Sequence, residues 1–343
     1  MKKRLDEACT RAQDALVNHF WSDERSYFNP TDPYDPDHNP AYWWQAHAID
    51  ALLDGYLRTK DDAFLARADR ELKGTILANG GTLSNNWYDD MEWMALALLR
   101  QYDITGDERT LKRVKLLWQD IRTAWNDNCG GGMAWRKNQL DYKNTPANAP
   151  AAILALRLYQ RFGDPDDLAW GEKILVWNRD NLMDPETFYV YDGMNREGDG
   201  KVDLTWDFTY NQGVMIGASV EMYRVTKDEE WLDLALGIAR RAKAVYSDAH
   251  GGVMPNEGPD DCGLFRGILL RYLAELCTVA SEADRAWIAD MIRSSAEGLM
   301  TAGMAEDGLI GVNWLKRPEP GQTIDLAQHL SGLMLLEMCA KIQ

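Results

Sequence analysis

The feature that most constrains how this 343-residue chain can fold is a turn that recurs between helical patterns. Four segments share a lysine or glycine, an aspartate and a leucine four places on. They are Lys60-Asp61 with Leu65, Gly106-Asp107 with Leu111, Gly163-Asp164 with Leu168, and Lys227-Asp228 with Leu232. Each closes one helical pattern and opens the next. The aspartate suits the N-cap, where its carboxylate accepts the orphan N–H groups of a first turn. Pro165 suits a first helical position. Ser281-Glu282-Ala283-Asp284 is a looser fifth member. The aspartates are spaced by 46, 57 and 64 residues, too unevenly for a solenoid, but a helix-pair period is plain.

Before each turn lies an apolar, aromatic-rich stretch, at 43–59, 88–103, 146–162, 209–225, 262–278 and finally 325–340. After each comes a charged amphipathic one, at 61–77, 107–124, 164–180, 228–245 and 282–300, with 3–20 as the opening member. In 107–124, Leu111, Val114, Leu117, Trp118 and Ile121 fall on one helical stripe. The first set reads as buried on most sides, as in Ala151 to Leu158. Six buried and six amphipathic helices in alternation predict an all-α (α/α)6 barrel, an inner ring within an outer ring, as one domain over 1–343. Period-two strand patterns are absent, apart from room for short strands in loops.

The connections are asymmetric. Inner-to-outer turns are short. The return loops, 21–41, 78–87, 125–145, 181–208, 246–261 and 301–324, are mostly long and hold most of the glycine pairs. Long loops on a rigid frame commonly carry function, and here they gather where the inner helices begin. Of the 14 tryptophans, seven lie on that rim or in the first inner turns: 43, 44, 87, 93, 135, 206 and 314. Flat rings there suit stacking on sugar faces, or filling wide gaps between helices. The other seven, at 21, 118, 125, 170, 177, 231 and 287, belong to the outer helices or their ends and read as packing.

A formal charge of −17 repels phosphate backbones and anionic lipid surfaces. It argues against nucleic acid or membrane as partner and favours a neutral substrate. Five histidines leave few imidazole ligands, so neither a metal nor another cofactor is expected. Five scattered cysteines without a CxxC spacing suggest a reduced chain. The first residues lack an apolar signal-peptide core, which predicts a cytoplasmic location, or secretion if a leader had been trimmed.

Four Asp-Asp pairs occur, at 61–62, 89–90, 166–167 and 260–261. The first and third begin outer helices at the short turns and read as caps. The other two open inner helices on the long-loop rim. Only Asp89–Asp90 is set among aromatics, in Asn85-Asn86-Trp87-Tyr88-Asp89-Asp90-Met91-Glu92-Trp93. Glycoside hydrolysis needs two carboxyls, one to protonate the leaving oxygen and one to attack the anomeric carbon or activate water. A helix N-terminus stabilises an anion, while a charged neighbour disfavours ionising the second acid. Glu92 is the alternative second carboxyl.

The stretch Trp87 to Ala97 resembles the signature of glycoside hydrolase family 76, the α-1,6-mannanases, which pairs Tyr-Asp-Asp with a following Trp and an Ala-Leu-Ala helix. Further segments agree in order: Tyr42-Trp43-Trp44-Gln45-Ala46-His47-Ala48, Gly130 to Trp135, Lys143-Asn144-Thr145, Thr209-Tyr210-Asn211-Gln212-Gly213 and Phe265-Arg266-Gly267-Ile268. One departure is Trp93-Met94, where many relatives have Trp-Trp. The resemblance implies an (α/α)6 fold and endo-acting, retaining hydrolysis of α-1,6-mannan. It implies Asp89 as nucleophile and Asp90 as acid/base. A transglycosylase and an inactive sugar-binding protein are the rival readings.

Further residues sit at or near inner-helix starts. Asn86, Trp87 and Tyr88 flank the acid pair. Asn144, Asn148, Tyr210, Asn211 and Gln212 either bind sugar hydroxyls or cap their helices. Trp43, Trp44 and Trp135 either stack on sugar rings or pack. Asp260, Asp261, Phe265 and Arg266 form a second polar patch, with Arg266 expected to pair with one of its aspartates. His47 reads as a satisfied core histidine. The segment Asn195 to Gly200 faintly resembles a calcium loop, but Trp206 stands where an EF-hand needs glutamate.

Overall fold

The computed structural model describes residues 2–38 and 41–343, so residues 39 and 40 of the expected loop 21–41 lie outside the described residues. Among the described residues there are twelve α-helices. The six apolar ones are α2 (Tyr42–Thr59), α4 (Tyr88–Thr105), α6 (Thr145–Phe162), α8 (Thr209–Thr226), α10 (Cys262–Leu276) and α12 (Leu326–Lys341). The amphipathic ones are α1 (Lys2–Ala15), α3 (Ala63–Ala78), α5 (Glu108–Ile121), α7 (Pro165–Leu182), α9 (Glu229–Ala242) and α11 (Glu282–Gly298). The expected alternation holds, with ends shifted by a few residues. Outer helices stop earlier than expected where π turns follow, at Leu16–Phe20, Lys243–Ser247 and Leu299–Gly303.

The recurring turn works as its chemistry suggests. Lys60, Gly106, Gly163 and Lys227 each take the left-handed conformation that ends an α-helix. The next residue caps the following helix: Asp61, Asp107, Asp164 and Asp228 accept the backbone N–H two places on, at 2.9, 3.0, 3.0 and 3.1 Å. Ser281 accepts the N–H of Asp284 in the same way.

The chain packs as two compact units. One comprises Met1–Thr82, Lys243–Cys277 and Ser281–Gln343; within it α2 and α10 pack on α12, backed by α1, α3 and α11. A buried guanidinium, Arg271 of α10, reaches Asp54 of α2 at 2.6 Å and Asp50 at 3.2 Å. Gly267 lets α10 approach α12, because a Cβ there would meet the Ser331 backbone at 2.8 Å. The other unit comprises Leu83–Ala242 and Thr278–Ala280, with α6 between α4 and α8, backed by α5, α7 and α9. Its buried pair is Arg157 of α6 with Glu221 of α8, at 2.6 Å. Removing one partner of such a pair strands a charge, so each pair fixes which helices adjoin.

Among the described residues, seven short strands lie in the loops. Trp21–Ser22 (β1) pairs with Tyr27–Phe28 (β2), and Thr31–Asp32 (β3) with Ile324–Asp325 (β7). In the second unit Ala134–Arg136 (β4), Gln139–Asn144 (β5) and Gly193–Met194 (β6) form one antiparallel sheet. That sheet lays the loops 125–145 and 181–208 beside the start of α4. Gly132, with φ +84°, leads into it beneath Trp177, whose ring lies 2.7 Å from where a Cβ would stand. Its carbonyl accepts Lys143 Nζ at 2.7 Å, and burial pushes that amine down to about 8.

Candidate active site

In the second unit, Trp87 is extended and α4 begins at Tyr88, so Asp89 and Asp90 fall in the first turn. Asn85 sets the entry: its Oδ1 accepts Trp87 N at 3.2 Å and its Nδ2 donates to Asp90 Oδ2 at 2.9 Å. Asp89 Oδ1 accepts the Asp90 backbone N–H at 3.1 Å. Asp89 Oδ2 accepts the indole N–H of Trp135 on β4 at 3.0 Å. Both carboxyls are half-buried. The two acids therefore differ chemically: a donor from the neighbouring sheet orients one, and a donor from their own loop orients the other.

Behind Trp135 stands a buried polar hub that the sequence did not reveal. The Trp135 ring meets Tyr142 of β5 edge-on, with centroids 5.8 Å apart. Tyr142 Oη donates to Asp192 Oδ2 at 3.1 Å, and Arg196 Nη2 donates to the same oxygen at 2.8 Å. The other oxygen of Asp192 accepts Tyr210 Oη at 3.2 Å and Asn211 Nδ2 at 3.1 Å. Burial raises Asp192, while Asn211, Arg196 and the two phenols favour its charged form. Tyr210 is pushed well above the usual phenol range by burial, then by the charges of Asp192 and Asp89. It thus stays a neutral O–H beside the nucleophile candidate.

Glu92 lies one turn further along α4. It is fully buried. Burial, and then the charge of Asp89, raises it well above the usual carboxylate range. A side chain so enclosed cannot reach a glycosidic oxygen, so the geometry favours Asp90 over Glu92 as partner of Asp89.

In the first unit, Asp261 precedes α10 and takes two indole donors on one oxygen, Trp43 Nε1 and Trp44 Nε1, each at 2.9 Å. Burial raises it and the two indoles oppose the shift. Trp43 keeps part of its ring exposed and lies 6.2 Å from the buried Phe265 ring. Asp260 is exposed, 3.8 Å from His38 Nε2. With Asp325 these two form a group of potential ligand atoms within 4.8 Å.

Several expectations need correction. Arg266 pairs with neither aspartate: it donates to the carbonyls of Pro255 and Val312 and stacks on Trp314 at 3.7 Å. It pins two loops, and burial lowers it to about 9. Trp44, at 2 % exposure, has no face for a sugar. Tyr88 is likewise buried, with its hydroxyl on Thr123. Gln212 is spent on the backbone of Val190, accepting its N–H at 3.1 Å and donating to its carbonyl at 2.8 Å. Asn148 serves Met133 in the same way, and Asn144 and Asn211 are buried. Asn86, Trp87, Trp135 and Tyr210 keep exposure beside Asp89 and Asp90 in chain or space. His47 is buried as expected, lowered to about 3 by desolvation. The loop at Asn195 is a hairpin turn whose Asp199 accepts Lys201 N at 3.0 Å. The missed residues, Asn85, Tyr142, Asp192 and Arg196, had one available signal: a Tyr-Asp-Gly run at 191–193 inside the longest loop.

Known proteins share this fold. The GH76A α-1,6-mannanase of Salegentibacter sp. HEL1_6 is 36 % identical, superposes with a TM-score of 0.94, and is matched over 99 % of this chain and 100 % of that one. An inactive variant of that enzyme, with two consecutive aspartates changed to asparagine, has been solved with α-1,6-mannotriose at a TM-score of 0.94 and 35 % identity, covering 99 % of this chain and 100 % of that one. The mannan endo-1,6-α-mannosidase DCW1 of Candida glabrata is 24 % identical over 326 residues, which cover 87 % of this chain and 72 % of that protein. The fold class is thus the all-α (α/α)6 barrel of these enzymes. The profile described as Glycosyl hydrolase family 76 matches residues 4–340, and this chain is a member of that family.

Proposed function

We propose that this glycoside hydrolase cleaves α-1,6-mannosidic linkages within mannan chains, with retention of configuration, through Asp89 and Asp90. The observation that carries the reading is the pair itself: two half-exposed carboxyls in the first turn of α4, each held by a different donor. Asp89 is the nucleophile. The positive end of the helix and the Trp135 N–H both favour its anion and aim one oxygen. Asp90 is the acid. As Asp89 bonds to the anomeric carbon, the glycosidic C–O bond breaks and the leaving oxygen takes the proton of Asp90. Water then gives a proton to Asp90, its oxygen attacks the same carbon, and the bond to Asp89 breaks.

The related mannanase of Salegentibacter supports this substrate by name, and it matches 99 % of this chain. Incubation with linear α-1,6-mannan should give oligosaccharides of mixed size, and other α-glycans should remain intact. Release of mannose alone would exclude internal cleavage. Proton NMR of the first product should show the α-anomer; an initial β-anomer would replace this mechanism with inversion. Products longer than an added oligosaccharide would reveal transfer to sugar in place of water.

A further inference from the structure

Trp206 is one of the larger exposed apolar side chains, at 43 % exposure, and the neighbouring Leu204 reaches 71 %. The indole is also unusually well held. Arg196 lies over it, guanidinium carbon 3.7 Å from the ring centroid, and the same guanidinium lies 4.5 Å from the Tyr142 centroid. Arg196 is itself fixed by Asp192 at 2.8 Å and Asp203 at 2.9 Å. Phe208 meets Trp206 edge-on at 5.6 Å, and Tyr189 Oη donates to the Trp206 carbonyl at 3.3 Å. The hairpin beneath is closed by Asn195 N to Lys201 O at 2.7 Å and Asp203 N to Gly193 O at 2.8 Å.

From Trp206 the contacts run without a break through Arg196, Tyr142 and Trp135 to Asp89. One face of the indole is covered by a cation. With 43 % of the side chain exposed, the indole offers a flat, rigidly held surface at the outer end of a ladder whose inner end is the nucleophile. Such a surface fits the C–H face of a pyranose ring, whose weakly positive hydrogens meet the negative face of the π system. Holding the ring in advance removes the ordering cost that a free side chain would bring to binding.

We propose that Trp206, clamped by Arg196, is an outlying platform for a further hexose unit of the bound glycan, beyond the units at Asp89 and Asp90. The inference rests on the α-1,6-mannan reading for the identity of that glycan. The platform adds affinity for long chains and leaves the chemical step alone.

The test compares wild type with Trp206→Ala and Trp206→Phe on α-1,6-manno-oligosaccharides of increasing length and on polymer. For Trp206→Ala we expect KM on long chains to rise about tenfold. KM and kcat on the shortest chain that is cleaved should stay the same, and Phe should recover part of the loss. Equal losses at every length would mean a structural role and overturn the platform; so would no loss at any length. A second measurement separates the platform from the substrate reading. In the Asp89→Asn/Asp90→Asn double variant, the indole N–H cross peak absent from the Trp206→Phe spectrum is followed during titration with α-1,6-mannotetraose and with other hexose oligomers. A shift only with another glycan would keep the platform and remove mannan. No shift with any would overturn the platform whatever the enzyme cleaves.

Discussion

Asp89–Asp90 and Asp260–Asp261 are the same dipeptide at nearly the same point of an inner helix, yet their oxygens are used differently. The first pair lies inside the first turn of α4, and the second just precedes α10. Asp89 takes one indole and keeps its other oxygen on its own helix. Asp261 takes two indoles on one oxygen, and burial works against its charge. One acid is oriented by a tryptophan; the other orients tryptophans. The pair at 61–62 does neither, and in the pair at 166–167 the indole contact falls to Asp167 at the start of an outer helix. Asp61 caps α3, Asp167 accepts Trp118 Nε1 at 2.7 Å, and Asp166 meets Arg122 at the surface. What an Asp-Asp pair does is set by which donors reach it and how much water it keeps.

The sharpest way to break this comparison is to exchange the acids. Asp89→Asn should lower kcat by about 10⁴-fold or more and Asp90→Asn by roughly 10²–10⁴-fold, with the fold intact by circular dichroism. Asp261→Asn should leave kcat within a fewfold. A collapse of kcat in Asp261→Asn beside a mild Asp90→Asn would reverse the roles of the pairs.

Next in size is the indole donor. Trp135→Phe keeps the ring and deletes one hydrogen bond to a carboxylate, worth roughly 1.5–3 kcal/mol, so kcat/KM should fall about 10–100-fold. An unchanged kcat/KM would show that Trp135 only packs.

Asp261→Ala leaves two indole N–H groups without their acceptor. Its expected signature is a fewfold rise in KM at unchanged kcat, read by steady-state kinetics on polymer. A loss confined to kcat would place Asp261 in the chemistry.

Glu92 gives an effect on stability and none on rate. A carboxyl raised on folding favours the native state most below its unfolded pKa, and that advantage is lost as pH rises through the folded value. Glu92→Gln removes this dependence. Its melting temperature should exceed that of wild type at pH 8 and converge with wild type toward pH 5. Activity should stay within about threefold; inactivation would make Glu92 the second acid.

The smallest change belongs to the caps. Asp61→Ala should cost about 1 kcal/mol of stability by denaturant titration and leave kcat untouched.

The sequence by itself determined the frame. Its twelve helices, the left-handed residue at the end of an inner helix and the aspartate opening the next outer one follow from signals spanning a few residues. So does the place of Asp89 and Asp90 at a helix start, because cap, periodicity and charge are all local there. Only the tertiary structure decided which tryptophans face outward and which donors serve which acids. Trp135 finds Asp89 across 46 residues and Trp44 finds Asp261 across 217. Asp192 gathers partners from β5, the hairpin and α8, three segments with no common sequence period. Trp43 and Trp44 are adjacent in the chain, yet one keeps an open face and the other is sealed. A helix turns 100° per residue, and what each neighbour then meets depends on elements that fold in from elsewhere.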